Sequence, residues 1–174
     1  MGLLDDHLEA ICRDHGVFLR REALALGMSD RAITRQIRAG NWVRVRHGAY
    51  TFQHLWETYD TIGRFQLRSR AAYRTARADV VLSHTSSLSV LGTSWWDLPL
   101  DDVHLTRRDG RTGRHEAGVV QHCGRITDAD VELSGDLAYM DGTRTALEIC
   151  TIVDVEHSLV AVNGLLRAGK TSSS

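Results

Sequence analysis

The residues best placed to do chemistry are arginines. Arg31, Thr34, Arg35 and Arg38 follow one another at spacings of three, one and three. At about 100° of helical turn per residue, with Arg31 at 0°, the other three fall at roughly 300°, 40° and 340°, and Ile33 and Ile37 at roughly 200° and 240°. A helix with this pattern docks its isoleucines on a core and holds guanidiniums outward, where a planar fork of donors matches a guanine edge or a phosphate. The same residues also suit an ordinary solvated helix face, because Arg is a good helix former. Arg44 and Arg46 alternate with Val43 and Val45, a period of two that sends neighbouring side chains to opposite faces of a strand. Phosphate contacts from such a strand fix register without reading sequence. His47, in the His47-Gly48 turn behind it, is a candidate contact or a plain exposed turn residue. Arg64, Arg68, Arg111 and Arg114 are further candidates for the same surface.

Other chemistries find less support. Nine histidines invite a metal or acid–base reading. Yet His122 and Cys123 are neighbours on an expected strand, so they point to opposite faces and do not easily share one ion. His84 near a helix start and His104 on a strand can approach in the fold, but no HxxxH or HExxH spacing supports them. No metal and no cofactor are expected. Ser86 beside His84 lacks a GxSxG elbow, and Gly110-Arg111-Thr112-Gly113-Arg114 lacks the Lys-Ser/Thr of a phosphate loop, reading as a hairpin tip or as a basic loop against DNA. No catalytic residue, and so no enzyme, is expected. Cys12, Cys123 and Cys150 are odd in number and widely spaced, which provides neither a disulfide framework nor a CxxC clip. Trp95-Trp96 ahead of Leu98 reads as core packing rather than an interaction patch.

The elements that must position the arginines emerge from periodicity and punctuation. Leu4, Leu8, Ile11 and Cys12 form one helical stripe ended by Gly16. A second helix spans about Arg21 to Leu26 and stops at Gly27. Ser29 then caps a third that runs to about Ala39. Helix, helix, tight Gly turn and helix make a helix-turn-helix. Trp42–Arg46, the His47-Gly48 turn and Ala49–Phe52 read as a hairpin directly behind it, which is a wing. A linker is expected near Gln53-His54-Leu55, then one long helix from about Trp56 to Ala78 with a seam of Thr58, Ile62, Phe65, Ser69, Ala72 and Ala76. A strand at Val80–Leu82 leads to a helix from Ser83 to Leu91, capped by Ser83. Strands at Val103–Thr106 and Gly118–His122 flank the Gly110/Gly113 turn, a hairpin surrounds Gly135, and two helices begin at about Arg144 and Val155. The expected fold is α+β: a winged helix-turn-helix over residues 1–54 and then a small α+β domain over 55–174.

Composition sets the outer bounds. The 174 residues are 43% hydrophobic and 25% charged, close to the globular average, which argues against disordered, collagen-like and coiled-coil classes. No apolar run is long enough to span a bilayer, and Met1–Asp6 lacks the basic start of a signal peptide, so a cytoplasmic setting with no membrane partner is expected. The net charge of -1 conceals an asymmetry. Arg20 to Tyr50 holds seven Arg against two acids, Arg64 to Arg77 five Arg and no acid, and Ile126 to Ser174 eight acids against three bases. Such a front half suits an anionic partner, foremost double-stranded DNA. The acidic tail suits a solvated face or a basic protein.

Several motifs are shared with a known family. His15-Gly16-Val17-Phe18, the run from Leu26 to Ile33 and the run from Ala39 to Tyr50 resemble the N-terminal winged-helix module of AbiEi-family antitoxins, from type IV toxin–antitoxin systems, and their actinobacterial and phage-like relatives. Leu82 to Gly92, with its Ser83-His84-Thr85-Ser86-Ser87 core, is similar to the next helix in the family. Val103–Thr106 is similar to the strand after it, and Thr143–Cys150 to a later helix entry. The resemblance implies an autoregulating repressor that binds an operator. Its downstream domain would neutralise a cognate nucleotidyltransferase-type toxin. With the residue pattern above, DNA contact is expected from Ser29, Arg31, Thr34, Arg35, Arg38, Arg44, Arg46 and His47. The family often opens the second helix with Thr or Ser where this chain has Leu19-Arg20. Many relatives continue into a restriction-like nuclease domain, which leaves two alternatives: a stand-alone repressor using both domains on DNA, or the DNA-targeting part of a longer nuclease.

Overall fold

In a computed structural model that describes residues 3–93 and 96–172, the chain divides into two units, Met1–Thr75 and Ala76–Ser174. The first begins with α1 (Leu3–His15), whose Asp5 and Asp6 in the first turn and Arg13 and His15 in the last complement the helix dipole. Leu8 and Cys12 are buried while Leu4 is 43% exposed, so the apolar stripe works from its second turn onward. Gly16 ends α1 at φ +77°, and a Cβ there would stand 2.7 Å from Cδ2 of Leu67. Both the left-handed backbone and the close approach call for glycine.

A short β1 (Phe18–Leu19) leads into α2 (Arg20–Ala25). No side-chain oxygen is available at Leu19 to cap α2. The carboxylate of Glu22 reaches back instead and accepts the Leu19 amide at 2.7 Å, supplying the return half of a capping box. Ser29 caps α3 (Asp30–Arg38) as expected, its Oγ accepting the Ala32 amide at 3.2 Å. Next come β2 (Trp42–Arg46) and β3 (Ala49–Phe52), and the three strands form an antiparallel sheet ordered β1-β3-β2. Phe18 fills the middle of the core, edge-on to Trp42 at 4.7 Å and near Tyr50 and Phe52. Leu8, Cys12, Ala23 and Ile33 pack around this aromatic group. This is a winged helix-turn-helix.

Two expectations fail at its border. The supposed linker is helical, α4 (Gln53–Thr58), and the single long helix is interrupted before α5 (Thr61–Thr75). Tyr59 turns extended at ψ 133°, and Asp60 accepts the Gly63 amide at 2.7 Å, so a short polar side chain starts a new helix where the apolar seam alone implied continuity. Helix α5 buries the expected Phe65, Ser69 and Ala72, and also Leu67 and Ala71. The latter two pack against Val17, Leu19 and Ala49. That second buried face places α4 and α5 in the first unit, and the border falls after Thr75 rather than after residue 54.

The second unit is built on a six-stranded mixed sheet ordered β6-β7-β5-β4-β9-β8. In chain order come β4 (Val80–Leu82), α6 (His84–Leu91), β5 (Val103–Arg107), β6 (Arg114–Glu116), β7 (Val119–Cys123), a 3-10 turn at Asp128–Asp130, β8 (Val131–Ser134), β9 (Leu137–Met140), α7 (Gly142–Ile149) and α8 (Val155–Arg167). Strands β5 and β7 do not form the expected hairpin. They run parallel, and β6 returns antiparallel along the outer edge of β7. The tight turn lies at Ala117 and Gly118, both at positive φ (50° and 70°), as a two-residue hairpin requires. Gly110–Arg114 is therefore the passage from β5 into β6.

Helix α6 is almost wholly buried, packed on β5, β9 and α7. Ser83 does not cap it. His84 adopts φ +50° in place of a helical value, and the Ser83 hydroxyl lies 3.0 Å from Nδ1 of His84. Asp141 and Asp154 do cap their helices, accepting the amides of Arg144 at 2.7 Å and His157 at 3.0 Å. Trp95 lies outside the described residues. Trp96 is 48% exposed and stacks on His157 at 5.0 Å, so this indole is a surface residue and not core, while Leu98 is buried.

Candidate nucleic-acid interface

Helix α3 delivers what its angles require. Ile33 is buried and Ile37 packs on the same core. Arg31, Thr34, Arg35 and Arg38 are exposed and, with Asp30, line one shallow, open concavity. The Thr34 hydroxyl donates to the Asp30 carbonyl at 2.9 Å, which leaves its methyl and oxygen lone pairs to face outward. Asp30 would oppose an anionic ligand, but Arg20 meets its carboxylate through two nitrogens, Nε at 2.7 Å. That hydrogen-bonded guanidinium holds the Asp30 carboxyl below its usual pKa. Among the described residues, Arg31, Arg35 and Arg38 have no ion-pair partner. The concavity therefore keeps a net positive field at the helix that a helix-turn-helix lays in the major groove.

The wing is less regular than alternation implies. Trp42, Val43 and Arg44 face Phe52, Thr51 and Tyr50, then the register slips so that Arg46 faces Ala49. The bulge between them leaves Val45 unpaired and re-aims Arg46 and the turn beyond it. Arg44 is exposed, whereas Arg46 is half-buried and engaged within the protein. His47 is exposed at the tip.

The additional arginines divide. Arg64 lies over the Trp56 ring at 5.1 Å and Arg68 over Phe65 at 5.5 Å, both in the first unit. Arg74, counted in the same basic run, is internal. It donates to the Val17 carbonyl and to Oε1 of Glu22, the latter at 2.6 Å. Arg111 and Arg114 belong to the second unit. Arg111 is exposed, and Arg114 pairs with Glu116 at 3.3 Å. Nearby, Arg107 pairs with Asp109, pulling that carboxyl down to about 2, and Arg108 pairs with Asp128. The acidic segment is likewise partly structural: Asp141 and Asp154 cap helices, and Glu148 is buried with Arg144 on its Oε1 at 2.9 Å.

One constellation was legible only in part: the approach of His84 and His104 was anticipated, and the arrival of His122 beside them was not. His84 at the start of α6, His104 on β5 and His122 on β7 meet, with one ring nitrogen of each within 4.8 Å of the others. His104 faces Val120 across the parallel pair, so His122, two residues further, shares its side of the sheet. The rings of His84 and His122 stack at 4.0 Å, and Nδ1 of His104 stands 2.9 Å from Nε2 of His122. Burial pushes His84 down to about 3 and His104 to about 4, and lowers His122. Beneath them, a Glu148 oxygen accepts the His84 amide at 3.2 Å and lies 3.6 Å from its Nδ1. The opposite facing of His122 and Cys123 was the right rule. The partner it left out was His104, which only the strand pairing reveals.

Residues 8–53 match the family described as transcriptional regulator, AbiEi antitoxin. The matched span runs from α1 to the first residue of α4, which is the winged helix. No curated protein matches the chain. No helix among the described residues is long and apolar enough to cross a membrane.

Proposed function

We propose that the protein is a sequence-specific repressor that binds a double-stranded DNA operator through its winged helix and autoregulates its own expression. The observation that carries this reading is the α3 face: three exposed guanidiniums on the last helix of a helix-turn-helix, with the adjacent carboxylate of Asp30 already held by Arg20. Arg31, Arg35 and Arg38 contact base edges or phosphates, and Ser29 and Thr34 lie on the same helix. Arg44 and His47 approach the backbone from the wing, and Arg46 supports the strand. The protein acts by binding, without catalysis, in the cytoplasm. Its second unit engages a nucleotidyltransferase-type toxin. Supporting that part are Leu147, Val155 and Leu159, 64%, 76% and 57% exposed on α7 and α8 beside the exposed Glu156.

The test is selection of bound duplexes from a random pool at fixed salt, repeated with Arg35→Ala. One enriched motif is expected, and the substitution should cost about 1–3 kcal/mol on that motif alone if Arg35 reads a base. Equal loss on every sequence makes it a phosphate contact. No enrichment with the parent chain, and no loss for any of the three arginines, overturns the assignment. For the toxin, growth rescue that is abolished by Leu159→Asp and retained by Arg35→Ala is the expected separation.

A further inference from the structure

We propose that the second unit binds a divalent first-row transition-metal ion, Zn2+ in type, through His84, His104 and His122. Three elements distant in sequence, the start of α6 and strands β5 and β7, bring one nitrogen each into a space of 4.8 Å. Tetrahedral coordination at about 2.0–2.1 Å per Zn–N bond sets ligand nitrogens roughly 3.3 Å apart. The nearest pair stands at 2.9 Å, so closing on an ion needs side-chain adjustment and no change of fold.

The donor set selects the class of ion. Three imidazoles suit zinc and its neighbours and discriminate against Mg2+ and Ca2+, which take oxygen ligands. The surroundings resemble the outer shell of a metal site. The Ser83 hydroxyl at 3.0 Å and the Glu148 carboxylate at 3.6 Å flank Nδ1 of His84, the position from which an outer partner fixes the tautomer and aims the other nitrogen. Glu148 is itself held by Arg144. His84 also keeps a left-handed backbone at φ +50°, a conformation that L residues seldom adopt and that gathers at functional sites. His84 and His104 are buried and His122 half-buried, so the ion enters from the β7 side and keeps a fourth position there for water or an exogenous ligand.

The proposal is tested on the full chain after chelator treatment, by calorimetric titration with Zn2+ and by visible absorption on titration with Co2+. One ion per chain and the intense ligand-field bands of tetrahedral Co2+, without a thiolate charge-transfer band, are expected. His104→Gln and His122→Gln should each weaken binding by more than about tenfold, the least that loss of even an outer partner costs. Cys123→Ser should leave it unchanged. His122 is half-exposed, so its substitution carries the test even if His104→Gln disturbs folding, and circular dichroism of the chelated variants checks this. Absence of saturable binding, affinity unchanged in His122→Gln, or loss of binding in Cys123→Ser overturns the proposal.

Discussion

Cys12, Cys123 and Cys150 share a side chain, but burial sets Cys12 apart from the other two. Cys12 is 2% exposed, takes a hydrogen bond from the Thr51 hydroxyl at 3.7 Å, and is pushed by burial up to about 11. Cys123 and Cys150 are exposed. Because the thiolate is the nucleophile, alkylation of the native protein at about pH 8 should modify two thiols, the third reacting only in denaturant. Mass spectrometry of timed samples reads this directly, and three equal rates would show that α1 is not packed on β3. The arginines repeat the lesson. Helical angles alone separated Arg31, Arg35 and Arg38 from Ile33 and Ile37, because that division is local. Nothing local distinguished Arg20 and Arg74 from them, since their partners lie ten and fifty-two residues away. Charge counts by segment were legible; which charges remain available to a ligand was not.

At the scale of elements, the winged helix could be read almost whole from caps and glycines, and the second unit could not. Strand positions were visible in it, but a strand's partners are set by the entire sheet, so the parallel alignment of β5 with β7, and with it the place of His122 beside His104, stayed hidden. The break ahead of α5 was hidden for the opposite reason: Asp60 caps locally inside a seam whose apolar spacing continues past it. Arg74 shows what α5 contributes. Its guanidinium joins the helix to the residue just ahead of β1 and to α2, through the Val17 carbonyl and Glu22, and its side chain is 9% exposed. Arg74→Met should therefore destabilise the protein by about 1.5–3 kcal/mol, as expected when hydrogen bonds to a charged group are removed. Arg77→Met, at an exposed position two residues beyond the helix, should stay within about 0.5 kcal/mol. Urea midpoints compare the two, and equal shifts would deny Arg74 its bridging role.

At the scale of the molecule, the α+β class and the order of a winged helix before a second domain were legible, and the border between them was not. A segment of residues 1–54 would uncover Val17, Leu19 and Ala49, each no more than 2% exposed in the complete unit. Few small domains tolerate such a loss. Residues 1–75 should melt cooperatively, and residues 1–54 should melt at a much lower temperature or without a transition. Indistinguishable melting curves would return α5 to the role of a connector. The sheet of the second unit also has a consequence for the order in which the protein is made. Strand β4 lies between β5 and β9, and its parallel partner β9 is separated from it in sequence by α6, β5, β6, β7 and β8. As the chain leaves the ribosome, the winged helix is complete before β4 emerges and can fold at once. Strand β4, with its apolar side chains, must then wait with the backbone of one edge unpaired until β9 arrives, and that interval is when the nascent chain is most open to aggregation and to capture by chaperones.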